Sequence, residues 1–278
     1  MAFRPVRGRG PVGVNASAVP TDLGSHNPRI AAVRALQTAA GRREQGAFAI
    51  EGTTMLAEAE RSGVRLRAVY GTAQGLDHAE RDGFAARAEA AGVPVFRVAD
   101  SALARMSGLT SSPGILAVVE RPQDTVGAVL ARPGPVLLLA AVNDPGNAGT
   151  LVRSAEAFGT VGVLFGDGGA DPFGPKVVRA SMGSIFRVPV ASVGPDEIVA
   201  AAAATGRPLI VADREGEELH RVALPPDAIV AVGNERHGVR GWLPRWDRAV
   251  RIPQRDAAES LNAAVAGSIL LYELGRVK

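Results

Sequence analysis

The chain has 278 residues, 46% hydrophobic and 21% charged, proportions that exclude a wholly disordered chain and leave room for one large domain or two small ones. Cysteine is absent, which rules out a disulfide framework, a thiolate metal site and a cysteine nucleophile, and fits a cytoplasmic setting. The formal net charge of +3 is uneven: residues 1–46 hold Arg4, Arg7, Arg9, Arg29, Arg34, Arg42 and Arg43 against Asp22 and Glu44, while the remainder sums to −2. A basic end points to a polyanion such as nucleic acid, or to a solvated tail.

The longest aliphatic run, Val136 to Val142, is seven residues, against roughly 20 for a membrane span. The first ten residues are charged and lack the apolar stretch of a secretory signal. Residues 1–24, rich in Gly, Pro, Arg and Val, read as a flexible basic arm. Asn27-Pro28 suits a helix start, with Ile30, Val33 and Leu36 at helical spacing to about Ala40. Then follow a strand at Phe48–Ile50, a helix at Thr53–Arg61, a strand at Leu66–Tyr70 and a helix at Arg81–Ala91. A strand at Val93–Val98, a short helix at Ser101–Met106 and a strand at Gly114–Val119 complete the first half.

Pro122, Pro133, Gly134 and Pro135 mark a boundary, giving a domain over 25–121, a linker over 122–134 and a domain over 135–278. In the second half Val136–Val142 reads as a buried strand, Ala148–Phe158 as a helix, Val161–Phe165 as a strand and Pro175–Met182 as a helix. Phe186–Val190 reads as a strand and Asp196–Ala204 as a helix. Leu209–Ala212, Ile229–Val232 and Val250–Pro253 read as strands, and Glu259–Leu274 as the last helix. Alternation of β and α throughout gives an α/β fold with a covered sheet.

Familiar chemical motifs are missing. There is no Gly-x-x-x-x-Gly-Lys-Ser/Thr loop, no strand followed by Gly-x-Gly-x-x-Gly, no His-Glu-x-x-His and no serine-hydrolase elbow. His26, His78, His220 and His237 have no metal-ligand spacing, and Glu215, Glu217 and Glu218 read as a solvated turn.

Three segments stand out. Asn143-Asp-Pro-Gly-Asn147-Ala-Gly149-Thr-Leu-Val-Arg153 follows an apolar strand and opens a helix. Asn147 stands where a helix start wants a side-chain acceptor, and Gly149 lies one turn before Arg153, leaving that flank uncrowded. A helix start beside an arginine suits a phosphate; an ordinary strand-to-helix turn is the plainer reading. Val232-Gly233-Asn234-Glu235-Arg236-His237-Gly238 ends a strand with glycines that let a ligand approach the backbone, or Glu235 simply pairs with an arginine. Ile252-Pro253-Gln254 leads to Ser260-Leu261-Asn262 at a helix start, where capping is the simpler explanation.

In this order and spacing the three segments resemble the SpoU (TrmH-type) ribose 2′-O-methyltransferases of the SPOUT superfamily. Arg179-Ala-Ser181-Met-Gly183-Ser184 with Phe186-Arg-Val-Pro189 is similar to a further segment of that family. Ser25-His-Asn-Pro-Arg with Phe48-Ala-Ile-Glu51-Gly52 resembles the ribosomal-protein-like RNA-binding domain of its rRNA-modifying members. The resemblance implies a C-terminal parallel sheet with a trefoil knot, an exception to the rule against knots, preceded by a smaller α/β RNA-binding domain. It implies S-adenosylmethionine held near Val232, Gly233, Asn234, Ile252, Pro253, Leu261 and Asn262. It also implies a homodimer and active-site roles for Asn147, Arg153, Glu235, Ser260 and Asn262. No metal is implied. Gln254 stands where many members carry Met.

Methyl transfer to a ribose oxygen needs alignment, worth about 7–11 kcal/mol at best, and help with a poorly acidic hydroxyl. Freeing a guanidinium of its proton at neutral pH costs roughly 8 kcal/mol. Arg153 is therefore read as a clamp on phosphate and on developing charge, with the proton leaving through water or Ser260. The first domain tilts the substrate toward 23S rRNA. Protection against a ribosome-targeting antibiotic and housekeeping modification are both compatible. A transfer RNA substrate, a non-catalytic RNA-binding or ribosome-assembly factor and a dinucleotide-dependent oxidoreductase are the competing readings.

Overall fold

The short apolar runs assemble into two sheets. The structure, a computed structural model, describes residues 20–81, 83–234, 237–255 and 261–276. The first half comprises β1 (Thr21–Asp22), α1 (Pro28–Ala35), α2 (Ala39–Gln45), β2 (Ala47–Glu51), α3 (Thr53–Arg61) and β3 (Leu66–Gly71). It continues with α4 (Ala73–Arg81), α5 (Phe84–Ala90), β4 (Val95–Arg97), α6 (Asp100–Met106) and β5 (Ile115–Glu120). Its sheet runs β1-β4-β3-β5-β2, with β5 antiparallel to both neighbours.

Asn27 caps α1 as expected, accepting from the Arg29 amide at 3.0 Å. The helix ends at Ala35, short of Ala40, because Thr38 starts α2 by accepting from the Gly41 amide. The helix read over 81–91 is the end of α4 and the whole of α5, parted at Gly83 with φ +65°. The arm does not extend to residue 24 unbroken, since Thr21 and Asp22 pair with Phe96 and Arg97.

The second half comprises α7 (Val126–Leu130), β6 (Val136–Ala140), α8 (Pro145–Ala157), β7 (Gly162–Gly166), α9 (Pro175–Ala180) and β8 (Val190–Val193). It continues with α10 (Pro195–Thr205), β9 (Leu209–Glu218), β10 (Ile229–Gly233), β11 (Arg248–Arg251) and α11 (Ala263–Gly275). Its sheet, ordered β11-β9-β10-β6-β7-β8, is parallel throughout. Strands β6, β7 and most of β10 are buried, as the central strands of a covered parallel sheet must be. From edge strand β11 the chain returns to seat α11 against β10 and α8, the course that a threaded C-terminus requires.

Three readings need correction. The 122–134 linker contains α7, whose Val126, Val129 and Leu130 are buried under the parallel sheet. Buried Arg207 ties that stretch down by donating to the carbonyls of Leu130, Arg132, Gly134 and Asp227. Phe186–Val190 is not a strand: the Ser184 carbonyl accepts from the amides of both Arg187 and Val188, forming a helical turn, and β8 begins only after Pro189. Glu215, Glu217 and Glu218 are not a solvated turn but the end of β9, where Glu218 pairs with Arg251 and Arg221.

The halves share a hydrophobic core. Phe48 of β2 lies 5.0 Å from the Phe173 ring and 6.3 Å from Phe186. Buried Arg42 bonds Asp171 at 2.7 Å. Arg187 joins α3 to α8, bonding Glu156, Glu58 at 2.9 Å and the Ser62 hydroxyl at 3.0 Å. That guanidinium holds the Glu156 carboxyl below the usual carboxylate range. The pair's contribution is therefore present above that range and is lost as pH falls through the depressed value.

Candidate active site

The carboxyl ends of β6 and β10 meet the starts of α8 and α11, the place where open α/β sheets bind ligands. Asp144, not Asn147, caps α8: its carboxylate accepts from the Asn147 amide at 2.7 Å, with Pro145 in the first turn. The Asn147 side chain is thereby available for another task. Its Oδ1 accepts from Asn262 Nδ2 at 2.9 Å. Asn262 caps α11 through the amides of Ala264 and Val265, so this helix begins at Ala263 rather than Glu259. Two capped helix starts, each carrying the partial positive charge of a helix N-terminus, are thus joined side chain to side chain.

The helices continue in close contact. Ser154 and Ser268 hydroxyls are 2.7 Å apart. Gly267 has no room for a Cβ against Leu151 of α8. At the other strand end Asn234 donates to the Ala141 carbonyl at 3.1 Å. Ala141 holds φ +53°, a left-handed conformation that L side chains disfavour; it turns the chain out of β6 beneath the site.

Arg153 projects from α8, exposed, and makes no hydrogen bond or ion pair among the described residues. Gly149 does not leave the open space on the Arg153 flank that its lack of a side chain suggests. A Cβ there would lie 2.5 Å from both the Ala180 Cβ and the Val177 carbonyl oxygen, so this glycine seats α9 against α8.

A cavity of about 690 Å³ opens beside β10, within the roughly 300–1,000 Å³ typical of small-molecule sites. Val232, Gly233, Asn234, Ile252 and Leu261 line it, as does Gln254. Pro253 is exposed and does not line it, and Asn262 faces a neighbouring groove with Asn147 and Thr150. Glu235 and Ser260 lie outside the described residues. Val250, Ala263 and Ala266 extend the apolar wall. A Cβ on Gly233 would overlap the Gly238 carbonyl carbon and the Val239 nitrogen, so the missing side chain lets the loop fold back over the strand end. An apolar wall for a flat base, next to a strand end that carries no side chain at Gly233, suits a nucleoside-bearing cofactor such as S-adenosylmethionine.

Sequence reasoning missed the polar side of this cavity. Asp213, Arg214, Glu215 and Arg240 line it, with Arg240 bonding Asp213 at 2.6 Å and Glu215 at 2.8 Å. Arg240 holds the Asp213 carboxyl below its ordinary range. The one signal available was Asp213 directly after an apolar strand. Among the described residues no cluster suited to a metal ion occurs, and no helix is long and apolar enough to cross a membrane.

Residues 134–272 match the SpoU rRNA methylase family, and residues 27–117 match the MRM3-like substrate binding domain. The 23S rRNA (guanosine(2553)-2′-O)-methyltransferase RlmP of Bacillus subtilis is 34% identical over 185 residues, 66% of this chain and 73% of the relative. The 23S rRNA (uridine(2479)-2′-O)-methyltransferase of Streptomyces viridochromogenes is 35% identical over 173 residues, 59% of this chain and 60% of the relative. The crystal structure of an AdoMet-bound rRNA methyltransferase from Sinorhizobium meliloti superposes with a TM-score of 0.80 at 26% identity, covering 92% of this chain and 98% of that one. With residues 134–272, half of its length, matched by the family and residues 27–117 by a substrate-binding domain, this chain belongs to the SpoU rRNA methylase family.

Proposed function

We propose that this chain transfers a methyl group from S-adenosylmethionine to a ribose 2′-hydroxyl in 23S rRNA, working in the cytoplasm. One observation carries the reading: an exposed arginine, unpaired among the described residues, stands on the helix whose start is bonded to the helix start beside the cavity. The names of the relatives supply the substrate class.

Val232, Ile252, Leu261 and Ala266 would hold the adenine, with the Gly233 backbone at its edge. When bound, the sulfonium supplies an already activated methyl group. Arg153 grips a phosphate of the RNA and stabilises charge developing on the 2′ oxygen. Asn147 and Asn262, held to each other, fix the two helix starts that border the reacting groups. Glu235 and Ser260 carry the polar roles that the family resemblance gives them, with the proton leaving to solvent through Ser260 or water. Residues 25–121 select the RNA, and the basic arm adds salt-sensitive phosphate contacts.

We further propose that two copies act together. Val265 and Tyr272 of α11 are 47% and 50% exposed, and with Phe158 and Ile269 they form an apolar groove running up to Asn147 and Asn262. An apolar surface beside a site suits a subunit contact that closes it. Sedimentation is expected to give a mass of two chains; a single-chain mass at micromolar concentration would remove this part of the reading.

The deciding experiment uses radiolabelled S-adenosylmethionine with separated 23S, 16S and transfer RNA, followed by mapping of 2′-O-methyl groups. Label at one ribose of 23S rRNA is expected. Label only in transfer RNA keeps the chemistry and overturns the substrate.

A further inference from the structure

Met182 is the second non-glycine residue with positive φ among the described residues, at +49°, and it is 48% exposed. A large apolar side chain in a strained backbone and facing solvent is costly on both counts, so its placement calls for a physical reason. Its neighbours are anchored. Ser181 and Ser184 are buried, and the Ser181 hydroxyl donates to the Val178 carbonyl at 2.7 Å. Gly183 continues the left-handed turn at φ +91°, where a Cβ would lie 2.7 Å from Glu58 of the first half. The loop is therefore rigid, and Met182 is its outward tip.

The tip stands beside α8. Before it, Ala180 and Ser181 pack on Gly149; after it, Arg187 bonds Glu156. The stretch of α8 between those contacts carries Arg153. The side chains of Lys176 and Arg179, on α9 just ahead of the tip, also make no hydrogen bond or ion pair among the described residues. One apolar side chain on an anchored turn thus lies near cations whose side chains are unpaired among the described residues.

We propose that Met182 packs against the base of the target nucleotide while Arg153, Lys176 and Arg179 attract its flanking phosphates. This rests on the RNA methyltransferase reading above. Enzymes that act on a base inside folded nucleic acid take it out of its stack; a target ribose seated beside this loop would likewise bring its base against Met182, and an unstacked base needs a new apolar face. Methionine is among the side chains that serve as wedges at base steps, and its thioether packs well on aromatic faces.

The test compares the full-length chain with Met182→Asn and Met182→Leu. Asparagine tolerates a left-handed backbone, so the loop keeps its shape while the apolar contact goes. Met182→Asn is expected to lower kcat/KM for 23S rRNA about tenfold, with S-adenosylmethionine affinity unchanged and Tm equal or higher. Met182→Leu is expected to restore most of the rate. Wild-type kcat/KM in Met182→Asn would overturn the proposal, as would a loss accompanied by a change in sedimentation mass, which would assign Met182 to a subunit contact. If the wild-type chain methylates no RNA, the functional reading is what fails. Affinity for 23S rRNA by filter binding then decides Met182, equal affinity of Met182→Asn overturning its role and weaker affinity supporting it.

Discussion

Replacing Arg153 by lysine is expected to reduce methyl transfer about 10²–10³-fold, the cost of removing one well-placed donor from a developing oxyanion, and alanine is expected to do no less. Lysine keeps the charge but loses the planar two-donor fork that grips a phosphate. Affinity for S-adenosylmethionine should be unchanged in both variants, because Arg153 does not line the cavity. The side chain is exposed and bonded to nothing else described, so neither change should lower Tm. Single-turnover transfer with 23S rRNA, read beside calorimetric cofactor binding, makes the comparison. Full activity in Arg153→Lys would mean that a point charge suffices and that the clamp is the wrong description.

Gly233→Ala is expected to fail in the opposite way. The added carbon has no space against the backbone of Gly238 and Val239, and backbone cannot swing aside as a flexible side chain can. Overpacking of this kind costs about 1–3 kcal/mol, and at a wall of the cavity the loop movement translates into a cofactor affinity weaker by about 10–100-fold. RNA binding by the first half should persist. Titration with S-adenosylmethionine and filter binding of RNA separate the two effects; an unchanged cofactor affinity would show that the loop accommodates the methyl group and that Gly233 is not structurally required.

The central strands were readable because strands buried on both faces must be unbroken apolar runs, as Val136–Ala140 and Ile229–Gly233 are. The three polar segments were readable because strand ends and helix starts demand Gly, Asn, Asp and Pro at set places. What escaped depended on partners distant in sequence. Asn147 looks like a cap until Asp144 is seen to take that role and Asn262, 115 positions later, is seen to occupy its side chain. Gly149 suggests free space, whereas α9 fills it. Phe186 and Val188 alternate like a strand, yet a helical turn delivers Phe186 to Phe48 of the other half. The acidic residues that end β9 read as a turn because Arg240 and Arg251, their partners, come from later segments.

The Phe48–Phe173–Phe186 contact and the Arg42–Asp171 and Arg187–Glu58 pairs join the two halves by matched chemistry rather than by a tether alone. A recognition domain exchanged from a relative would have to bring an aromatic at the place of Phe48, an arginine at that of Arg42 and a carboxylate at that of Glu58. Without them Phe173 would lose its ring partner and Asp171 its counter-ion. Evolution toward a new RNA target in this chain is therefore constrained at the joint: substitutions on the outer surface of the first half are open to change, whereas its inner face is bound to the catalytic half and must vary in step with it.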